Sequence, residues 1–450
     1  MKSAAWGWTV VGLLAITGEA WAGQPPLVEA ARRGAVETVR ALVRPGVDVD
    51  VRAGDGATAL QWASYRDEIE MADLLIRAGA NVNAANDLGA TPLWLASQNG
   101  SAAMVGRLLR ARANPNLALL AGEAPLMVAA RAGKPDVAAL LAEEGADIDA
   151  RAARGQTALM WAVAQKHPEV VRVLLARGAD VHARTAQWSE VMAVPPHGML
   201  EYNRAIPHGG DTALLFASRV GDLASAKLLV GSGANVNDAD AWGVSAIVMA
   251  AHSGFGDLVS FLLEQGADAS ADQAGFSALH EAVMRRDEAM AAILLEHGAN
   301  PNARLRTWTP TRRSSKDWNF APELVGATPF WLAARFAQPG VMRLLLARGA
   351  DPRVVHHVNY HTESAEPRTD STTALMAATG LGGGVAWVRP SRAEPEAQVL
   401  EAVTIALDRG VDVNAANTDG RTALDQARAL KYLRVAQLLT DHGAHPGQPR

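Results

Sequence analysis

The chain contains no cysteine in 450 residues, which removes disulfides, thiolate metal sites, iron–sulfur clusters and a cysteine nucleophile. Aromatics are scarce, at 5% against 49% hydrophobic residues overall, so any interior must be built from small and aliphatic side chains. Neither sign of charge dominates. With 42 basic against 47 acidic residues and a net charge of −5, there is no general field for nucleic acid or an anionic membrane. Beyond residue 22 no stretch approaches 18 uncharged apolar residues, so no membrane-spanning helix is expected there.

Catalytic patterns are missing as well. His280-Glu281 opens like a zinc-protease helix, but Met284 stands where the second histidine is needed. No serine elbow, P-loop or paired-carboxylate site stands out. Gly380, Gly382, Gly383 and Gly384 follow a helix and lack the nucleotide spacing, so they read as a flexible connector.

What is present begins with an address. Lys2 precedes an apolar stretch from Trp8 to Ile16, followed by Ala20-Trp21-Ala22. A positive start, a short apolar core and an Ala-x-Ala site describe a secretory signal peptide over residues 1–22. The expected location is therefore periplasmic or secreted.

The rest of the chain repeats. A Thr-Ala-Leu-like triplet starts at Thr58, Thr91, Ala124, Thr157, Thr212, Ser245, Ser277, Thr328, Thr373 and Thr422. Successive starts lie 33, 33, 33, 55, 33, 32, 51, 45 and 49 residues apart, a 33-residue period with four insertions. Five residues after each start stands alanine: Ala63, Ala96, Ala129, Ala162, Ala217, Ala250, Ala282, Ala333, Ala378 and Ala427. Only close approach of two backbones demands so small a residue ten times. A Gly-Ala-Asp/Asn turn, as at Gly79, Gly145 and Gly178, follows a leucine four residues earlier. That is an apolar helix closed by a left-handed glycine. Arg112 takes this glycine position in one unit, and Ala124 lacks the oxygen that caps the next helix.

These motifs resemble the ankyrin repeat. Thr91-Pro92-Leu93-Trp94-Leu95-Ala96 stands where that family carries Thr-Pro-Leu-His-x-Ala, Ser277-Ala278-Leu279-His280 keeps its histidine, and Asn81-Val82-Asn83 looks like the opening of its hairpin. The resemblance covers about residues 27–445. It implies an all-α repeat solenoid of about eleven stacked helix-turn-helix units with β-hairpin fingers, interrupted by four loop insertions. A capping unit is expected at 23–54, repeats at 55–181, 208–302, 326–352 and 372–418, and a closing cap at 419–450. Three insertions (182–207, 303–325, 353–371) fall in the finger. The fourth, 380–396, interrupts the turn between helices and should emerge on the opposite edge, with the poorest stacking nearby at Ala406 and Val411.

The insertions carry what is individual. Trp188 and Tyr202 lie in the first with His197 and His208, and Trp308, Arg312, Arg313 and Trp318 lie in the second with Phe320. The fourth holds Trp387, and Trp242 sits at an uninserted finger tip. Trp and Arg are the types that supply interface hot spots, although such aromatics also serve to anchor their own loops. His356, His357 and His361 in the third are weak metal candidates, because His357 and His361 would share a helix face. Trp62, Trp94, Trp161 and Trp331, beside the repeated alanine, read as core. The family implies a noncatalytic protein-binding scaffold that holds another protein on its concave face and finger loops, without cofactor or nucleic acid. The alternatives are a secreted effector acting on a foreign cell and, less favoured, a metal-binding accessory or an enzyme with its site in the loops.

Overall fold

The computed structural model describes residues 25–192, 203–309, 320–362, 364–384 and 395–448. The signal stretch and His197, Tyr202, Arg312, Arg313, Trp318 and Trp387 lie outside the described residues. The chain is organised as two compact units, one made of residues 1–153 with 176–178 and the other of 154–175 with 179–450.

The first unit holds four helix pairs. Its first helices are Pro26–Arg32, Ala59–Arg66, Pro92–Asn99 and Pro125–Arg131, and their partners are Val36–Leu42, Ile69–Arg77, Ala102–Arg110 and Pro135–Glu143. In the second unit seven pairs follow the same plan, from Ala158–Ala164 with Pro168–Ala176 to Ala423–Ala429 with Leu433–Asp441. Eleven pairs among the described residues match the expected count. Each stacks its first helix on the first helix of the neighbouring pair within its unit, as a solenoid requires.

Sequence explains where these helices begin and end. Thr91 Oγ1 accepts from Trp94 N at 3.2 Å, with Pro92 in the first turn, and Thr328 does the same for Trp331 at 3.3 Å. Ala124 makes no such bond. At the opposite end of each pair the turn glycine is left-handed, and Arg112 is forced into the same region at φ 70°. A second left-handed position occurs nine residues after each triplet start, between the two helices. Gly100, Gly133, Gly221 and Gly254 hold it in some units, but Asp67, Lys166, Arg286, Ala337 and Lys431 hold it in others, all with positive φ. A β-carbon costs about 1 kcal/mol there. Arg112→Gly and Ala337→Gly are therefore each expected to raise stability by about 1 kcal/mol, read as a higher thermal midpoint. A lower midpoint in both would refute the strain.

Stacking is tightest at the repeated alanine. Ala63, Ala96, Ala129, Ala162, Ala217, Ala250, Ala282, Ala333 and Ala427 are all fully buried, and Ala378 nearly so. Two residues earlier, side chains reach the next pair: Gln61 Nε2 donates to Ala90 O at 2.5 Å, and Trp94 Nε1 to Glu123 O at 3.1 Å. Beyond the turn, an asparagine ties consecutive pairs twice. Asn237 Oδ1 accepts from Asp268 N at 2.8 Å while its Nδ2 donates to Gly266 O at 3.3 Å. Asn302 makes the same two bonds, to Asp351 N at 2.8 Å and Gly349 O at 2.9 Å, across the whole second insertion. The inserted residues leave the spacing between layers unchanged.

The ends are closed by charge. At the first helix Glu29 pairs with Arg32 and Arg33 at 2.7 and 2.6 Å, and the Arg32 bond contributes most to holding its carboxyl down at about 2. At the last pair Asp425 Oδ2 accepts from Gly447 N at 2.8 Å, folding the terminal segment back.

Candidate recognition surface

Three of the four insertions meet at one place in the second unit. Its floor is the helix Pro329–Arg335, and its centre is Trp331, 1% exposed.

The second insertion closes on itself like a stem. Leu305 N donates to Ala327 O at 2.9 Å, Gly326 N to Leu305 O at 2.7 Å, and Thr309 N to Phe320 O at 3.1 Å. Phe320 is 1% exposed, with its ring 5.2 Å from Phe276 and 6.4 Å from His280. For this aromatic the anchoring role holds. Trp308, in the same stem, is half-buried.

The third insertion is an antiparallel hairpin, as is the first. In the first, β1 (Trp188–Met192) pairs with β2 (Arg204–His208). In the third, β3 (His356–His361) pairs with β4 (Pro367–Thr372), His356 facing Thr372. The helical face expected for His357 and His361 is therefore corrected: the segment is a strand, and successive side chains alternate between faces. His356 and Val358 turn inward and are buried, whereas His357 and His361 are exposed. Four strand residues span about 13 Å, against one turn of a helix. The three histidines do not converge, and among the described residues no group of three or more His, Asp or Glu is arranged to hold a metal ion.

His356 is instead a packing residue. Its ring lies 4.2 Å from Trp331, Nε2 donates to Val325 O at 3.0 Å, and Nδ1 faces Thr372 Oγ1 at 3.4 Å. Burial lowers its pKa from 6.5 to about 4, so the ring is neutral at ordinary pH.

The fourth insertion departs from expectation at its start. Residues 380–384 do not act as a flexible connector, nor do they leave on the opposite edge; they pack on the second insertion. At Gly382 (φ 99°) a β-carbon would come 2.5 Å from the Trp331 ring, and at Gly383 one would come 2.8 Å from Glu323. Arg335 fastens the segment, donating to Gly383 O at 2.8 Å and Gly384 O at 3.2 Å. Glycine is needed because the backbone lies against the indole at Gly382 and against Glu323 and Leu324 at Gly383 and Gly384. Close by, the second helix Pro395–Asp408 is fully seated, with Ala406 0% and Val411 5% exposed.

The remaining candidates lie elsewhere in the same unit. Trp188, 38% exposed, is stacked on His208 at 5.5 Å with the Arg154 guanidinium 4.8 Å from its ring. Val191, on the same strand, is 70% exposed. Trp242 is half-buried, its backbone N–H donating to Asp240 Oδ1 at 2.9 Å, and burial raises the pKa of the Asp240 carboxyl above its usual value. Trp62, Trp94 and Trp331 are buried as expected, and Trp161 is half-buried. Sequence reasoning missed the packing role of His356, Arg335 and Gly382. The one available signal was the period-two pattern of His356, Val358 and Tyr360.

This arrangement of the described residues offers contact area. A model of three ankyrin repeats matches residues 27–118, 93–185 and 203–304, and a single ankyrin-repeat model matches 325–357. Over 282 residues the chain is 29% identical to the E3 ubiquitin-protein ligase KEG of Arabidopsis thaliana, covering 55% of this chain but 16% of that protein. The human ASB11 ankyrin repeat domain is similar at 27% identity, with 54% of this chain and 99% of that one covered and a TM-score of 0.45.

Proposed function

This chain belongs to the ankyrin-repeat family, a protein-binding scaffold, and on that premise we propose that it is a noncatalytic, exported member whose protein partner rests on the fingers and inserted loops of the second unit. The observation that carries the reading is the meeting of three insertions beside Trp331: the third and fourth lie on its indole, and both touch the second at Val325, Glu323 and Leu324. A generic repeat has no need of them, and each is held in place by buried contacts. Preorganised loops lose little entropy on binding. The half-exposed Trp188 and Trp308 are of the type that dominates interface energies.

Export rests on Lys2, the apolar stretch Trp8 to Ile16 and Ala20-Trp21-Ala22. Among the described residues no helix is long and apolar enough to cross a membrane. Fractionating the producing cells tests this part: a mature chain starting at Gly23 in the periplasm is expected. Recovery in the medium favours the effector reading, and a cytoplasmic, uncleaved chain refutes export.

For the surface, Trp188→Ala and Trp308→Ala are expected to weaken capture of the partner by about tenfold or more each, with the thermal midpoint little changed. Undiminished capture by both folded variants would place the contact elsewhere.

A further inference from the structure

Two buried histidines bear on the second insertion, His280 through the ring of Phe320 and His356 through the carbonyl of Val325. His280, 0% exposed, lies on the helix Ala278–Arg285. Its Nδ1 accepts the backbone N–H of Ser277 at 3.2 Å and meets the Ser277 hydroxyl at 2.9 Å; its buried Nε2 makes no hydrogen bond among the described residues, although the backbone at Ala303 and Ala327, at the two ends of the insertion, acts on the ring. The edge of Phe320 completes the seat. His356, 1% exposed, holds Val325 O through Nε2 and rests on Trp331.

Neither seat suits an imidazolium. A second proton on His280 would sit on Nδ1 against the backbone N–H of Ser277, with the Ser277 hydroxyl at 2.9 Å as its acceptor, and would leave a fully buried cation whose Nε2 has no hydrogen bond among the described residues. A charged His356 would be buried facing the like charges of Arg304 and His357. The opposing groups are few. Asp272 is the carboxylate that favours a charged His280, while Glu281, next on the same helix, is engaged by His252 at 3.1 Å. Arg285, also on that helix, adds positive charge and donates to His252 O at 2.8 Å.

We propose that His280 and His356 form an acid-operated clasp: protonation ejects the imidazoles, frees the stem at residues 303–309 and 320–327, and leaves the helix pairs stacked. Burial lowers both rings from 6.5 to about 4. Between those values the opened form binds protons that the closed form does not, so closure is complete near neutrality and weakens as pH falls through that window. The stem at residues 303–309 and 320–327 would then hold one arrangement at neutral pH and be released in acid.

The absence of cysteine makes the test direct, because one introduced thiol is a unique reporter. Leu305→Cys places it in the stem, where Leu305 is 1% exposed, and Leu229→Cys places it in a repeat core, where Leu229 is 0% exposed. Labelling with dithiodipyridine, corrected by a free thiol, is compared at about pH 7 and about pH 4.5. The Leu305→Cys protein should label at least about tenfold faster in acid while Leu229→Cys stays protected, because only the clasp opens. His280→Gln substitutes a side chain that this protein uses at the equivalent position, Gln61. Combined with His356→Gln it should abolish the acid acceleration, and each single variant, assayed separately once circular dichroism shows it folded, should reduce it. Simultaneous labelling of both sites, or acceleration that persists in a folded variant lacking both histidines, overturns the proposal.

Discussion

Trp331→Ala is expected to destabilise the second unit by about 3–5 kcal/mol, the cost of emptying a fully buried indole site, measured as a drop in urea midpoint. The loss should exceed that of an ordinary repeat position because the indole is a shared wall. His356 stacks on one part of it and the backbone at Gly382 lies against another. Trp331→Phe makes the sharper comparison. The Trp331 Nε1 has no hydrogen-bond partner among the described residues, so phenylalanine removes a buried orphan donor together with some volume. Its cost should stay below about 1.5 kcal/mol. Equal effects of the two substitutions would mean that the ring is not the wall described here.

Ala250→Leu should destabilise the same unit by about 1–3 kcal/mol, although it adds apolar surface. Ala250 is 0% exposed, and so are Ala217 and Ala282, its counterparts in the adjoining helices. Three added carbons must push those helices apart or adopt a strained rotamer. An unchanged midpoint in urea would show that the helices are not in contact at this register.

The periodic part of the molecule could be read before any coordinates. Ten triplets and ten alanines stated the layer thickness, and glycine after leucine stated where each second helix stops, even predicting the strained Arg112. A further regularity does not announce its meaning locally: Gly100, Gly133, Gly221 and Gly254 share an offset of nine from their triplets. The other units place side chains there, which hid the common left-handed turn. The asparagine ties were half visible, since Asn83 stood out as a turn residue but the reach to the next pair did not.

The histidine run shows why the insertions resisted. A spacing of four satisfies a helix face and, equally, one face of a strand. Only pairing with residues 367–372 decides between them, and no local rule announces that pairing. The glycine run read as slack for the same reason: without the indole in view, nothing marks those residues as flattened against a surface.

The amino-acid order alone determined the eleven layers, their register and the conformation at their turns, because every repeat meets the same neighbours and local rules are restated each time. Only the tertiary structure decided that residues 356 and 382 share one tryptophan and that residues 323–325 meet both of their segments. Those contacts occur once, between segments with no common period, and their energy comes from filling a particular volume that no single stretch of chain encloses.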